Sequence, residues 1–126
     1  MKNNILKKKV VLFLSLVCVL GSVSVVNAKS VKTDEFGTFS YSLTKSENKI
    51  YAQTSCSKTA SKLITSLVVE KNSTGEKLFN VKNTKDNCKK NDVIYLINNS
   101  NNKLAVFSAH EAKGKTSIVR YEAEVF

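Results

Sequence analysis

From Phe36 the chain alternates. Phe39, Tyr41 and Leu43 are interleaved with Thr38, Ser40, Ser42 and Thr44, so one parity is apolar and the other carries hydroxyls. That is the period of a strand with one buried face. The cluster Ser46-Glu47-Asn48-Lys49 has turn chemistry, and beyond it Ile50, Ala52, Thr54 and Cys56 share the parity that points to a core. Residues 60–69, ASKLITSLVV, fit two periods, because Ala60, Leu63, Ile64, Leu67 and Val68 also fall at helical spacing. The β-branched Ile64, Thr65, Val68 and Val69 and the shortness of the run decide for a strand.

A turn at Asn72-Ser73-Thr74-Gly75 leads into a short strand over residues 77–81. Residues 83–92 read as a polar loop with Cys88 inside it. Val93 to Ile97 is a nearly continuous apolar run, expected as a central strand, and residues 98–102 form an asparagine-rich turn. Residues 104–109 and 116–126 give two more strands. The last has the cleanest alternation in the chain, with Val119, Tyr121, Ala123 and Val125 on one face and Arg120, Glu122 and Glu124 on the other. Six or seven short strands without proline or a long helix predict an all-β fold, a small antiparallel sandwich.

The N-terminus reads differently. MKNNILKKK carries Lys2, Lys7, Lys8 and Lys9 and no acid, the apolar run VVLFLSLVCVL follows, and Val26 and Ala28 occupy the small-residue positions of a cleavage site. The pattern predicts a signal peptide over residues 1–28, a flexible leader over 29–35 and one domain over 36–126, secreted and not stably inserted in a membrane after cleavage. Without the four signal lysines, 16 Lys+Arg stand against 10 Asp+Glu, a net +6. Arg120 is the one arginine. Lysine without the bidentate arginine fork argues against nucleic-acid recognition and for a solvated basic exterior that attracts anionic surfaces.

In an exported chain the two remaining cysteines, Cys56 and Cys88, are expected to form a disulfide. A bridge closing residues 56–88 is worth on the order of 3–4 kcal/mol. With a single histidine and no paired ligand spacings, neither a metal site nor another cofactor is expected. Ser108, His110 and Glu111 are the components of a nucleophile relay, but neighbours along one extended strand seldom supply its geometry, and Glu111 leaves from the face opposite Ser108 and His110. No enzyme is therefore expected. Ser108, His110, Lys113 and Lys115 are instead candidate contact residues.

With the export signal, Gly37-Thr38-Phe39-Ser40-Tyr41, Ser108-Ala109-His110 and a tyrosine-bearing final strand in view, the chain resembles small secreted β-sandwich proteins of Gram-positive bacteria. Lactococcin-like bacteriocins are the functionally defined group among them. The resemblance implies a secreted β-sandwich and carries over no functional residue. Two functions are expected from these readings. One is a non-enzymatic extracellular module that binds a cell-surface polymer or an extracellular protein; the other is a bacteriocin-like toxin acting on the envelope of competing bacteria.

Overall fold

A computed structural model describes residues 28–98 and 102–126. The expected signal peptide lies outside the described residues except for Ala28, as does the centre of the asparagine-rich turn. Six strands build the fold: β1 (Lys29–Thr33), β2 (Gly37–Ser46), β3 (Lys49–Lys71), β4 (Lys77–Leu96), β5 (Leu104–Lys113) and β6 (Ser117–Val125). They form one antiparallel sheet in the order β1-β2-β3-β5-β6, with β4 paired to β3. The all-β expectation holds, and residues 60–69 are strand.

The strands are not uniformly short, because β3 runs for 23 residues and β4 for 20. The first half of β3 pairs with β2, from Phe39↔Cys56 to Ser46↔Lys49, and the second half pairs with β5, from Lys62↔Lys113 to Lys71↔Leu104. Strand β4 accompanies both halves. Between them the register slips: Ser55 faces Lys90 and Ala60 faces Cys88, so residues 56–59 stand against Lys89 alone. Such a bulge bends the strand that carries it. The two halves of β3 then turn their inner faces toward one another, and Thr54 Oγ1 lies 2.6 Å from Thr65 Oγ1. A single curled sheet thereby encloses its own core.

The bulge is held from outside. Lys58 N–H donates to the Phe36 carbonyl at 3.0 Å, Thr38 N–H donates to Ser57 Oγ at 2.8 Å, and Lys58 Nζ reaches the Asp34 carbonyl at 3.1 Å. At the contact sits Gly37, with φ +67°, where any side chain would run into Ser57. Only glycine combines that backbone with that approach.

Two expectations change here. Residues 29–33, expected as part of a loose leader, form β1 by pairing with Gly37–Tyr41. Residues 83–92, expected as a loop, belong to β4 and face β3 from Leu63↔Lys85 to Gln53↔Asp92, interrupted only at the bulge. A strand paired on one edge needs no apolar content of its own, since its backbone is satisfied by the ladder and its side chains stay in water. Thr84 to Asn87 are accordingly exposed.

The core is divided. Leu43, Ile50, Ala52, Leu67, Val69, Val93, Leu104 and Val106 form one apolar cluster, while Phe36, Phe39, Cys56, Ala60, Leu63 and Ala112 form another. Between them the inward positions are polar: Thr54, Thr65, Asn91, Ser108 and His110 are all buried.

Candidate functional site

His110 is the centre of that polar layer. It sits in the middle of β5, opposite Thr65 of β3 and Arg120 of β6, and is fully buried. Its Nδ1 lies 2.8 Å from Thr54 Oγ1 and its Nε2 2.8 Å from Ser108 Oγ. Burial lowers the imidazole pKa to about 4, because the charged form would lose its hydration. A neutral ring has one N–H and one lone pair to share among these hydroxyls and the Gln53 backbone, whose hydrogen bond opposes the shift. The network continues from Thr54 to Thr65, and Thr65 Oγ1 donates to the Asn91 carbonyl at 3.2 Å. Asn91 Nδ2 in turn donates to the carbonyls of Leu63 at 2.8 Å and Asn83 at 2.7 Å, and Asn91 Oδ1 accepts from Asn83 Nδ2 at 2.6 Å. Tyr41 lays its ring 5.5 Å from the imidazole, centroid to centroid.

The four candidate contact residues are not brought together. Ser108 and His110 share a face and a hydrogen bond but are sealed inside, whereas Lys113 and Lys115 are exposed. Glu111 points outward and pairs with Lys113 at 3.8 Å. The imidazole is thus oriented by the hydroxyls of Thr54 and Ser108 and by the Gln53 backbone. Chemically the layer is a neutral, hydrogen-bonded spacer between two apolar clusters.

The charged groups that matter lie on β6, where sequence reading placed no site. Its inward parity is Arg120, Glu122 and Glu124, and its outward parity is Val119, Tyr121, Ala123 and Val125. Glu122, opposite Ser108, is 5 % exposed; among the described residues one carboxylate oxygen, Oε1, has no hydrogen-bond partner, while the Leu43 amide of β2 donates to the group. Burial raises its pKa to about 7, against the pull of Lys29. Burial raises Glu124 as well, again against Lys29.

A groove of about 460 Å³ opens between the β1–β2 turn and β6, where the charged lining residues are Arg120, Asp34 and Glu35, beside Phe36, Thr116 and Ile118. The Arg120 guanidinium makes one hydrogen bond among the described residues, from Nη1 to the Val119 carbonyl at 2.9 Å. One end of the groove is fastened by Glu35, whose carboxylate accepts the amides of Lys115 and Thr116, each at 2.7 Å, and the Thr116 hydroxyl. Those bonds, led by the hydroxyl, hold the Glu35 pKa below its ordinary value. Gly114 permits the approach, because a side chain there would strike the same carboxylate.

Cys56 and Cys88 are free thiols in the structure, so the expected bridge is not formed. The segment it was expected to pin is already ordered by the β3–β4 ladder. Both sulfurs nevertheless pack in the same apolar cluster at the bulge. Burial, and secondarily the neighbouring Cys88, raises the Cys56 pKa to about 11. Since the thiolate is the reactive form, the folded, reduced protein is expected to react with a thiol reagent at Cys88 at least tenfold faster than at Cys56. Peptide mapping after a timed alkylation checks this.

Among the described residues no three His, Cys, Asp or Glu side chains converge as a metal-holding group. No known family model, curated protein or solved structure matches the chain.

Proposed function

We propose that this protein is a secreted, non-enzymatic binding module that engages an anionic cell-surface polymer, or an acidic extracellular protein, at the groove beside Arg120. The observation that carries the reading is the contrast between two sites. The residue types suited to acid–base work, His110 and Ser108, are sealed in a closed hydrogen-bonded layer, while a guanidinium with donors to spare lines an open groove. A planar guanidinium suits phosphate or carboxylate groups. Export is part of this reading.

The probe is a purified polyol-phosphate wall polymer. Retention by the immobilised protein should fall about tenfold for Arg120→Gln and fall again as salt is raised. Absence of binding by the unsubstituted protein defeats the reading, and full binding by the variant removes the groove from it. The second reading, a bacteriocin-like toxin, draws on the apolar outward parity of β6, which suits contact with an envelope. Growth inhibition of related bacteria by nanomolar protein would support it; an inert protein across a broad panel would eliminate it.

A further inference from the structure

Beyond Ile118, which packs on the inner Phe36 cluster, strand β6 is inverted relative to ordinary practice for a sheet over a core: Arg120, Glu122 and Glu124 face inward and Val119, Tyr121, Ala123 and Val125 face out. The same outward face continues across the sheet by register. Tyr121 stands beside Ala109, Ala123 beside Phe107 and Val125 beside Ala105, and Phe107 in turn faces Val68 of β3. Tyr121 is 67 % exposed and Val68, Phe107, Val119 and Val125 are each partly exposed, while the small Ala105 and Ala123 between them are buried. A contiguous apolar patch of this kind on a small domain marks an interaction surface.

Charge selects the occupant. Lys62, Lys82 and Lys113 stand on this outward face with Asp86, Glu111 and the buried Glu70; Lys62 pairs with Asp86 at 3.1 Å and Lys113 with Glu111 at 3.8 Å, which leaves Lys82, and Lys103 and Lys115 in the turns at either end of β5, as the surplus cations around it. Residues 29–126 carry a net +6, so two copies meeting face to face would bring like charge together around the patch. An anionic lipid leaflet offers the reverse: hydrocarbon for the apolar centre and phosphate for the lysines. We infer that the outward face of β5 and β6 is a docking surface for an anionic lipid leaflet, with Tyr121 and Phe107 entering the headgroup region and the bordering lysines pairing with phosphates. Contact of this type lies in the plane of the interface and spans nothing. Among the described residues no helix is long and apolar enough to cross a membrane, and docking requires none.

The inference goes beyond the groove reading and does not depend on it, since Arg120 and Tyr121 lie on opposite faces of β6. The chain has no tryptophan, so Tyr121→Trp installs a single reporter at an exposed position where the fold tolerates it. Titrated with phosphatidylglycerol-containing vesicles, that variant should shift its emission to the blue, and it should be unmoved by pure phosphatidylcholine. In co-sedimentation with the same vesicles, Tyr121→Ser should bind roughly tenfold more weakly than the parent, and Lys62→Gln with Lys113→Gln should lose affinity and salt sensitivity together. Arg120→Gln should bind vesicles normally. The inference is overturned if the parent ignores anionic vesicles, if Tyr121→Ser binds them as well as the parent, or if sedimentation velocity shows the patch buried in a stable dimer.

Discussion

Replacing Asn91 with Leu is expected to cost the fold about 3 kcal/mol. The side chain is fully buried and bonds to three groups, the Leu63 carbonyl, the Asn83 carbonyl and the Asn83 amide, of which the last also reaches the Asp92 carbonyl at 3.4 Å. Leucine is close in volume, so the loss arises from stranded polar groups rather than from a void. A buried group left without its hydrogen bond costs about 1–3 kcal/mol, and Leu63 C=O sits deepest. Against the 5–15 kcal/mol typical of a domain, that is a large fraction. Urea unfolding monitored by circular dichroism measures it. Asn83→Ser should cost less than half as much, because Asn83 is partly exposed. A change below about 1 kcal/mol for Asn91→Leu would mean that water replaces the lost bonds and the layer is not the dry spacer described above.

The second large effect is on pH dependence, where two buried groups oppose one another. His110 has a folded pKa of about 4 against 6.5 for the free side chain. Above pH 6.5 it is neutral in both states and contributes no slope; as pH falls from 6.5 toward 4 the unfolded chain takes up a proton that the folded one refuses, and stability is lost. Glu122 has a folded pKa of about 7 against 4.5. Below pH 4.5 it is protonated in both states; as pH rises from 4.5 toward 7 the unfolded chain releases a proton that the folded one keeps, and stability is lost in that direction instead. Between about pH 4.5 and 6.5 the two slopes cancel.

Burial moves Tyr41 further from this window, and it raises Glu124 as it raises Glu122, so Glu124 adds to the Glu122 slope. Glu35, whose pKa is lowered, supplies stability that is lost only as pH falls below the ordinary carboxylate range. Glu122→Gln should therefore turn a nearly flat profile into one that declines on acidification, by up to about 1.4 kcal/mol per pH unit. His110→Gln should give the opposite tilt. Urea midpoints at several pH values across the window read both. Parallel profiles for the parent and Glu122→Gln would show that Glu122 is hydrated and ionised in the folded protein.

Local pattern carried much of the architecture. The alternation at Phe39, Tyr41 and Leu43 and the β-branched content of residues 60–69 are sufficient for strands, because a period of two and a stiff χ1 are properties of the segment itself. The loop expected at residues 83–92 failed because edge pairing needs only a neighbouring ladder, and a ladder is not written in the residues that use it. The bulge at residues 56–59 was equally hidden, since its polar residues are held by contacts from the β1–β2 turn.

For the candidate site, the shared face of Ser108 and His110 was evident from spacing alone, and so was the departure of Glu111 from the other side. The environment was not. The second partner of His110 is Thr54, 56 residues away, and Glu35 fastens amides 80 and 81 residues further on. The clearest division lies in β6. Alternation by itself determined that Arg120, Glu122 and Glu124 share one face and Val119, Tyr121, Ala123 and Val125 the other. Only the tertiary structure decided which face turns inward, because a strand's period separates its two sides without naming either, and the choice falls to pairing with β5 and to the Leu43 amide that receives Glu122.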